Sequence, residues 1–213
     1  MSEVKKLAIW EEKLRVASLH LKDADRNLGA VIDRIGPCTL KYPENPEWFL
    51  VRSIVSQLIS TKAAETITAR LVGLLGDSPA DYIHNLAEKD EPRLSGIGLT
   101  GAKIRTLLEV SRKIRGGLRL DATKGALTPN WEKELLAIKG IGPWTVQMFR
   151  IFGMGELDVL APGDLGLRQG LARIDGLEKE YPAGKLANRC EPWRPFASVG
   201  TWYVWQNRDA NPK

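Results

Sequence analysis

LLAIKGIGPWTVQMFRIFGMGELDVLAPGDLGLR, residues 135–168, decides how the rest of the chain reads. Trp131, Leu135 and Ile138 recur at helical spacing and stop at Lys139-Gly140. Gly140-Ile141-Gly142-Pro143 makes a four-residue hairpin. Trp144, Met148 and Phe152 then follow at four-residue steps, the spacing of one face of a second helix. Further on, a Pro162-Gly163 turn delivers Asp164 to the start of another helix.

The hairpin has the chemistry of a phosphate contact. Two glycines lack the Cβ atoms that would block an anion, and they tolerate positive φ. A proline at the first helical position gives up an N–H that had no intrahelical partner. The remaining N–H groups and the positive end of the helix dipole face outward. An ordinary helical corner has the same residues, so the glycines alone establish only a candidate phosphate site. The wider pattern, K-G-I-G-P-W-T at 139–145 followed by Asp164 after its Pro-Gly turn, resembles the helix-hairpin-helix DNA glycosylase superfamily. Within it the chain resembles the 3-methyladenine DNA glycosylase II family.

That resemblance implies an all-α fold of two helical lobes with a DNA-binding cleft between them. The helix-hairpin-helix motif would be followed by a Gly/Pro-rich loop and the catalytic Asp. The expected division of a single domain, 1–213, is residues 1–47 with 120–213 in one lobe and 48–119 in the other. The string HLKDADRNLGAVIDRIGPC at 20–38 resembles the start of the family's catalytic domain, and no length remains for the amino-terminal β-domain that longer members carry. Alternation of apolar residues never persists long enough to predict a strand.

Composition fits without deciding. With 213 residues, 43% hydrophobic and 27% charged, the chain can bury a core, and a net charge of +5 suits a polyanionic partner. Cys38 and Cys190 are too few for the four-cysteine iron–sulfur cluster of some superfamily members, so no cofactor is expected. No side-chain metal site is expected either, although the family hairpin can hold a sodium or potassium ion on backbone carbonyls. The charged amino terminus has no signal-peptide block, and no run approaches the ~18 apolar residues of a membrane span. The expectation is an intracellular monomer, cytoplasmic and nucleoid-associated or nuclear in a eukaryote, whose partner is double-stranded DNA carrying alkylated bases.

Two other stretches carry the resemblance. RSIVSQLISTKAA, residues 52–64, breaks its helix around Gln57 to Ser60 and resembles a family signature, although Leu58 stands where many members have a second glutamine. In the family this bend presents the residue that fills the gap left by an extruded base. An apolar wedge replaces stacking area without needing a hydrogen bond; the alternative for Leu58 is a place in the core. Gln57, Leu58, Ser60, Lys139, Gly140, Gly142 and Thr145 are the expected DNA-binding residues. Near the end, WRPFASVGTWYVWQN (193–207) concentrates aromatics, most of them expected in the core. The resemblance assigns Trp205 to the base pocket, with Trp202 beside it, and Ala197 replaces an arginine common in the family. The tail beyond Asn207 is polar and expected to fray. A second glycine-rich corner, LSGIGLTGAKIRTLLEVSRKI from Leu94, reads as structural, with Lys103 and Arg105 in reach of a DNA backbone.

The implied chemistry is excision of a flipped base. A base inside a duplex is unreachable, so it must be extruded at a cost of a few kcal/mol. Alkylation at a ring nitrogen makes a purine cationic, and a cation over an indole gains about 0.5–2 kcal/mol. Trp144, Met148, Trp202 and Trp205 are therefore the expected base-pocket residues. A cationic base leaves readily, so no strong acid is needed, and His20 and His84 lie outside the motifs. What is needed is a negative charge near the sugar carbon and a water to attack. Asp164 is the expected catalytic residue, a role compatible with capping a helix, and Asp158 is the rival carboxylate. Superfamily members that also cleave the strand carry a lysine where Trp144 stands. The implied enzyme is a hydrolase, a monofunctional glycosylase for 3-methyladenine, 7-methylguanine and similar purines that starts base excision repair. Alternatives are excision of an etheno, deaminated or oxidised base, or damaged-DNA binding without chemistry.

Overall fold

Asp25 separates two helices at the amino terminus, where Asp23 and Asp25 precede a second helical run in the sequence. Helix α1 (Glu3–Ala24) ends there, and Asp25 accepts hydrogen bonds from the Asn27 and Leu28 N–H groups to start α2 (Arg26–Ile35). Along α1, Trp10, Leu14, Ala17 and Leu21 are buried as their spacing predicts, but Leu7 is exposed. The computed structural model describes residues 2–122 and 125–210, and no strand occurs among them. No helix among the described residues is long and apolar enough to cross a membrane.

The chain packs as two compact units. The first comprises Met1–Tyr42 and Arg150–Lys213. It contains α1 and α2 and, late in the chain, α10 (Leu165–Ile174), α11 (Ala183–Arg189) and α12 (Ala197–Ala210). The tail expected to fray is helical to Ala210, and residues 211–213 lie outside the described residues. Helix α12 packs against α1, α2 and α10, and its buried Val199, Trp202, Tyr203 and Val204 join Leu14, Leu21, Leu28 and Leu171 in one core. A buried ion cluster ties this unit together. Arg189 donates to Asp25 at 2.5 Å and to both oxygens of Asp175, and Trp193 Nε1 donates to Asp25 at 2.7 Å. Burial alone would raise both carboxyls, but these bonds more than offset it. Asp25 is held below its ordinary value, and Asp175, with further bonds from Tyr181 and Asn27, is held down at about 2.

The second unit, Pro43–Phe149, holds α3 (Pro46–Ser56), α4 (Thr61–Leu75), α5 (Tyr82–Ala87), α6 (Glu91–Gly96), α7 (Gly101–Arg115), α8 (Trp131–Leu136) and α9 (Pro143–Met148). Asn45, Ser60 and Thr100 cap α3, α4 and α7 through their side chains. Helix α7 packs on α3, α5 and α6 through Ile104, Leu107 and Leu108.

The division differs from the expected one at residues 43–47 and 120–149, which belong to the middle unit. Long-range tethers explain the second of these. Thr106 on α7 donates to the Lys139 carbonyl at 2.8 Å, and Lys113 on α7 pairs with Glu134 on α8 at 3.3 Å. Trp131 also packs edge-on against Phe149.

Candidate active site

In the middle unit the hairpin and the turn between α3 and α4 are fastened to each other. Gln57 donates its side-chain amide to the Gly140 carbonyl at 3.2 Å and to the Thr145 hydroxyl at 3.1 Å. From the other side Lys103 donates to the Val55 carbonyl at 2.7 Å, closing the end of α3, and burial lowers the pKa of its ammonium. Lys103 is thus engaged within the unit rather than extended toward a ligand. Ser60 spends its hydroxyl on the Ala63 N–H at the start of α4.

Between these fasteners Leu58 has φ 57° and is fully exposed. A leucine in the left-handed region costs about 1–2 kcal/mol, and an exposed one gains nothing from burial. The reading of Leu58 as a core leucine is therefore wrong. Its side chain stands out from a turn whose two sides are held.

The two hairpin glycines have different reasons to be glycine. Gly140 has φ 97°, and a Cβ there would collide with the Thr106 hydroxyl that holds Lys139. Gly142 has ordinary extended backbone, and an added Cβ would meet nothing within 4 Å. The fold requires the first glycine; the second keeps open the space in front of α9.

Trp144, in the first turn of α9, is 42% exposed, so its indole has surface to offer. Two expected contacts and one expected helix face need correction. Thr145 is buried with its hydroxyl on Gln57, so its side chain braces the hairpin. Met148 is 6% exposed and offers almost no surface to a ligand. The expected stripe Trp144–Met148–Phe152 is also broken, because α9 passes into a π-helical turn, Phe149–Gly153. The extra residue in that turn moves Phe152 out of the four-residue register.

In the other unit the Pro162-Gly163 turn closes with the Asp164 N–H on the Ala161 carbonyl at 2.9 Å. Asp164 caps α10, its Oδ1 accepting from the Leu167 N–H at 2.6 Å. The same oxygen accepts from Trp205 Nε1 at 3.0 Å. Trp205 is in turn stacked on Phe152, with ring centroids 5.8 Å apart and planes 19° apart. One face of its indole is thus covered, and its N–H fixes the carboxylate. Trp202, expected beside it in the pocket, is 8% exposed and lies in the core edge-on to Tyr203. A step of three residues along α12 separates the two roles. The rival carboxylate is tied into the fold, because Asp158 pairs with Arg194 at 2.7 Å and accepts from the Ala197 N–H at 3.2 Å. Ala197 is itself buried, and its backbone rather than its side chain carries that contact.

Arg208 escaped the sequence reading. A Cβ added at Gly166 would collide with its guanidinium and lie 3.2 Å from Asp164 Oδ1, so carboxylate and guanidinium border the space that this glycine leaves. The available signal was the three-residue spacing of Trp205 and Arg208, which places both on one face of α12. Burial pushes the thiols of Cys38 and Cys190 up to about 11 and about 12, so neither is a nucleophile at neutral pH.

The family model for HhH-GPD superfamily base excision DNA repair proteins matches residues 51–195, from within α3 through the hairpin and Asp164. The chain belongs to this superfamily. Within the HhH-GPD superfamily it belongs with the 3-methyladenine DNA glycosylases. The DNA-3-methyladenine glycosylase of Saccharomyces cerevisiae is 31% identical, covering 97% of this chain and 84% of the relative. A DNA-3-methyladenine glycosidase structure from Bacillus halodurans superposes with a TM-score of 0.73 at 34% identity, over 85% of this chain and 84% of that one. The Schizosaccharomyces pombe 3-methyladenine DNA glycosylase Mag1, in complex with abasic DNA, gives 0.76 at 25% identity, over 91% and 96%.

Proposed function

We propose that the protein is a monofunctional DNA glycosylase that removes alkylated purines, 3-methyladenine and 7-methylguanine among them, from double-stranded DNA. The observation that carries this reading is the Asp164 carboxylate, held through one oxygen by a backbone N–H and the Trp205 indole. As the bond between C1′ and the base lengthens, its electron pair leaves with the cationic base, which departs neutral. Positive charge grows on the sugar, and the fixed carboxylate stabilises it. Water then adds its oxygen to C1′ and releases a proton toward the carboxylate, leaving an abasic site. Preorganised charge of this kind acts without reorganisation at the moment of reaction. Trp144 supplies an exposed indole for the cationic base, and Leu58 fills the gap in the duplex.

The backbone carbonyls of Ile138, Lys139, Gly140 and Gly142 each accept one hydrogen bond already. A sodium or potassium ion at the hairpin would draw on their second lone pairs and present positive charge to a phosphate. The protein acts as a monomer, and Gln57 and Ser60 serve DNA contact by shaping the turn that carries Leu58.

Base-release chromatography from methylated duplex DNA tests the activity. The expected products are free 3-methyladenine and 7-methylguanine; release from etheno, deaminated or oxidised duplexes alone would reassign the lesion, and no release from any would leave a binding module. Borohydride reduction during turnover is expected to trap no covalent adduct, because residue 144 is not a lysine. Leu58→Ala is expected to lower base release about 10-fold while stability stays within about 0.5 kcal/mol, the range for an exposed side chain. A large loss of thermal stability would return Leu58 to a structural role.

A further inference from the structure

We propose that Ser198 is a positioning residue for Asp164, acting through the loop that delivers the carboxylate; this role rests on the glycosylase reading of Asp164. Ser198 is fully buried in the first turn of α12. Its backbone N–H donates to the Leu157 carbonyl at 3.0 Å. Its hydroxyl accepts from the Val159 N–H at 2.9 Å and donates to the Glu156 carbonyl at 2.7 Å, nearer than the Val159 carbonyl at 3.4 Å. One residue thus meets Glu156, Leu157 and Val159. The first N–H groups of a helix lack intrahelical partners, which accounts for the backbone bond. It does not account for the hydroxyl. A serine in a helix commonly bonds the backbone of its own helix, whereas this one bridges an acceptor and a donor of a distant loop.

Little slack separates this anchor from the carboxylate. Val159 and Ala161 are buried, and the turn closes with the Asp164 N–H on the Ala161 carbonyl at 2.9 Å. Helix α12 meets Asp164 again through Trp205 Nε1. Ser198 and Trp205 are two helical turns apart and share a face. The helix therefore grips the loop near its start and Asp164 at its end, and the spacing of the two grips is that of a rigid element. Asp158 holds the same loop differently. Its partner Arg194 has a half-exposed side chain, where water can replace a lost bond. At Ser198 no such replacement exists, because loss of the hydroxyl strands the N–H of the buried Val159. Thr201, one turn further along α12, supplies the contrast. It is equally buried, and its hydroxyl has no hydrogen-bond partner among the described residues.

The test compares the full chain with Ser198→Ala, Ser198→Cys as the variant of similar volume, and Thr201→Val as the control, all well below their melting temperatures. Two readouts are taken. The first is solvent exchange of the Trp205 indole N–H in the free protein, its ¹H–¹⁵N signal assigned by its loss in Trp205→Phe. Ser198→Ala is expected to speed this exchange about 10-fold, with Ser198→Cys in the same direction and Thr201→Val unchanged. The second is single-turnover release of 7-methylguanine beside DNA affinity. Ser198→Ala is expected to slow release about 10-fold with affinity within about twofold, and Thr201→Val to leave both alone. In an Asp164→Asn background the same Ser198→Ala change should alter release less than about twofold, because the charge it positions is gone. Wild-type indole exchange in both Ser198 variants overturns the proposal. So does a loss of rate shared by Thr201→Val, or one as large in the Asp164→Asn background as in wild type. The exchange is read without DNA, so if wild type releases no base the glycosylase reading falls while the contact between Ser198 and Asp164 is still decided.

Discussion

The starts of α10 and α12 are built alike and serve different ends. At each start an aspartate oxygen receives a backbone N–H of the helix, Asp164 from the turn just before α10 and Asp158 from 39 residues before α12. Asp164 receives Leu167, and Asp158 receives Ala197. They differ in the second partner. Asp158 is closed by the Arg194 guanidinium, at 2.7 Å on its other oxygen, so its charge fastens a loop. Asp164 receives the Trp205 indole N–H on the oxygen that already caps the helix, so the second bond fixes its plane. An aspartate at a helix start is therefore a tether in one place and an oriented charge in the other. Distant side chains make the difference.

Substituting each aspartate in turn should separate the two most widely. Asp164→Asn keeps an N-cap and so costs little stability, but it is expected to lower base release about 10³-fold, the scale of lost transition-state electrostatics. Asp158→Asn should leave base release within about twofold, since its role in the geometry is structural, and lower the melting temperature. The next effect is smaller and concerns the indole. Trp205→Phe keeps a ring against Phe152 but loses the N–H, and about 10-fold slower release is expected with DNA affinity unchanged. Its counterpart on the other side, Arg194→Met, should leave the rate alone and reproduce the melting shift of Asp158→Asn.

The smallest effect is a dependence on acid. Asp25 and Asp175 have folded pKa values below their unfolded ones, Asp175 at about 2 against 3.8. Their contribution is full above the unfolded values and is lost as pH falls toward the folded ones. Melting temperature should therefore decline through the interval from about pH 4 to about pH 2. In Arg189→Met the decline should be shallower from a lower starting point, because the partner that depresses both carboxyls is gone.

What could be read from the sequence was local. The hairpin, its proline, the Pro-Gly turn before Asp164 and the break at Leu58 are set by neighbouring residues, and all are where the pattern predicts. The errors concern distance and phase. Nothing near Gln57 indicates that its amide reaches residues 140 and 145, or that Thr106 anchors Lys139, and these tethers draw residues 120–149 into the middle unit. Helical spacing could not place Met148 and Trp202 in the interior, because buried and pocket-lining positions have the same periodicity. The π-helical turn after Met148 has no sequence signature, so the shift of Phe152 was invisible. Trp205 was singled out as a stacking surface by resemblance; its bond to Asp164 spans 41 residues and needs coordinates to be seen.

The most direct test of the central claim is single-turnover release of 7-methylguanine from a defined duplex, measured beside DNA affinity for wild type, Asp164→Asn and Asp164→Glu. An oriented carboxylate predicts a loss near 10³-fold for Asn and an intermediate rate for Glu, with affinity within about threefold for both. Release by Asp164→Asn at the wild-type rate, or a loss explained wholly by weaker DNA binding, would contradict it.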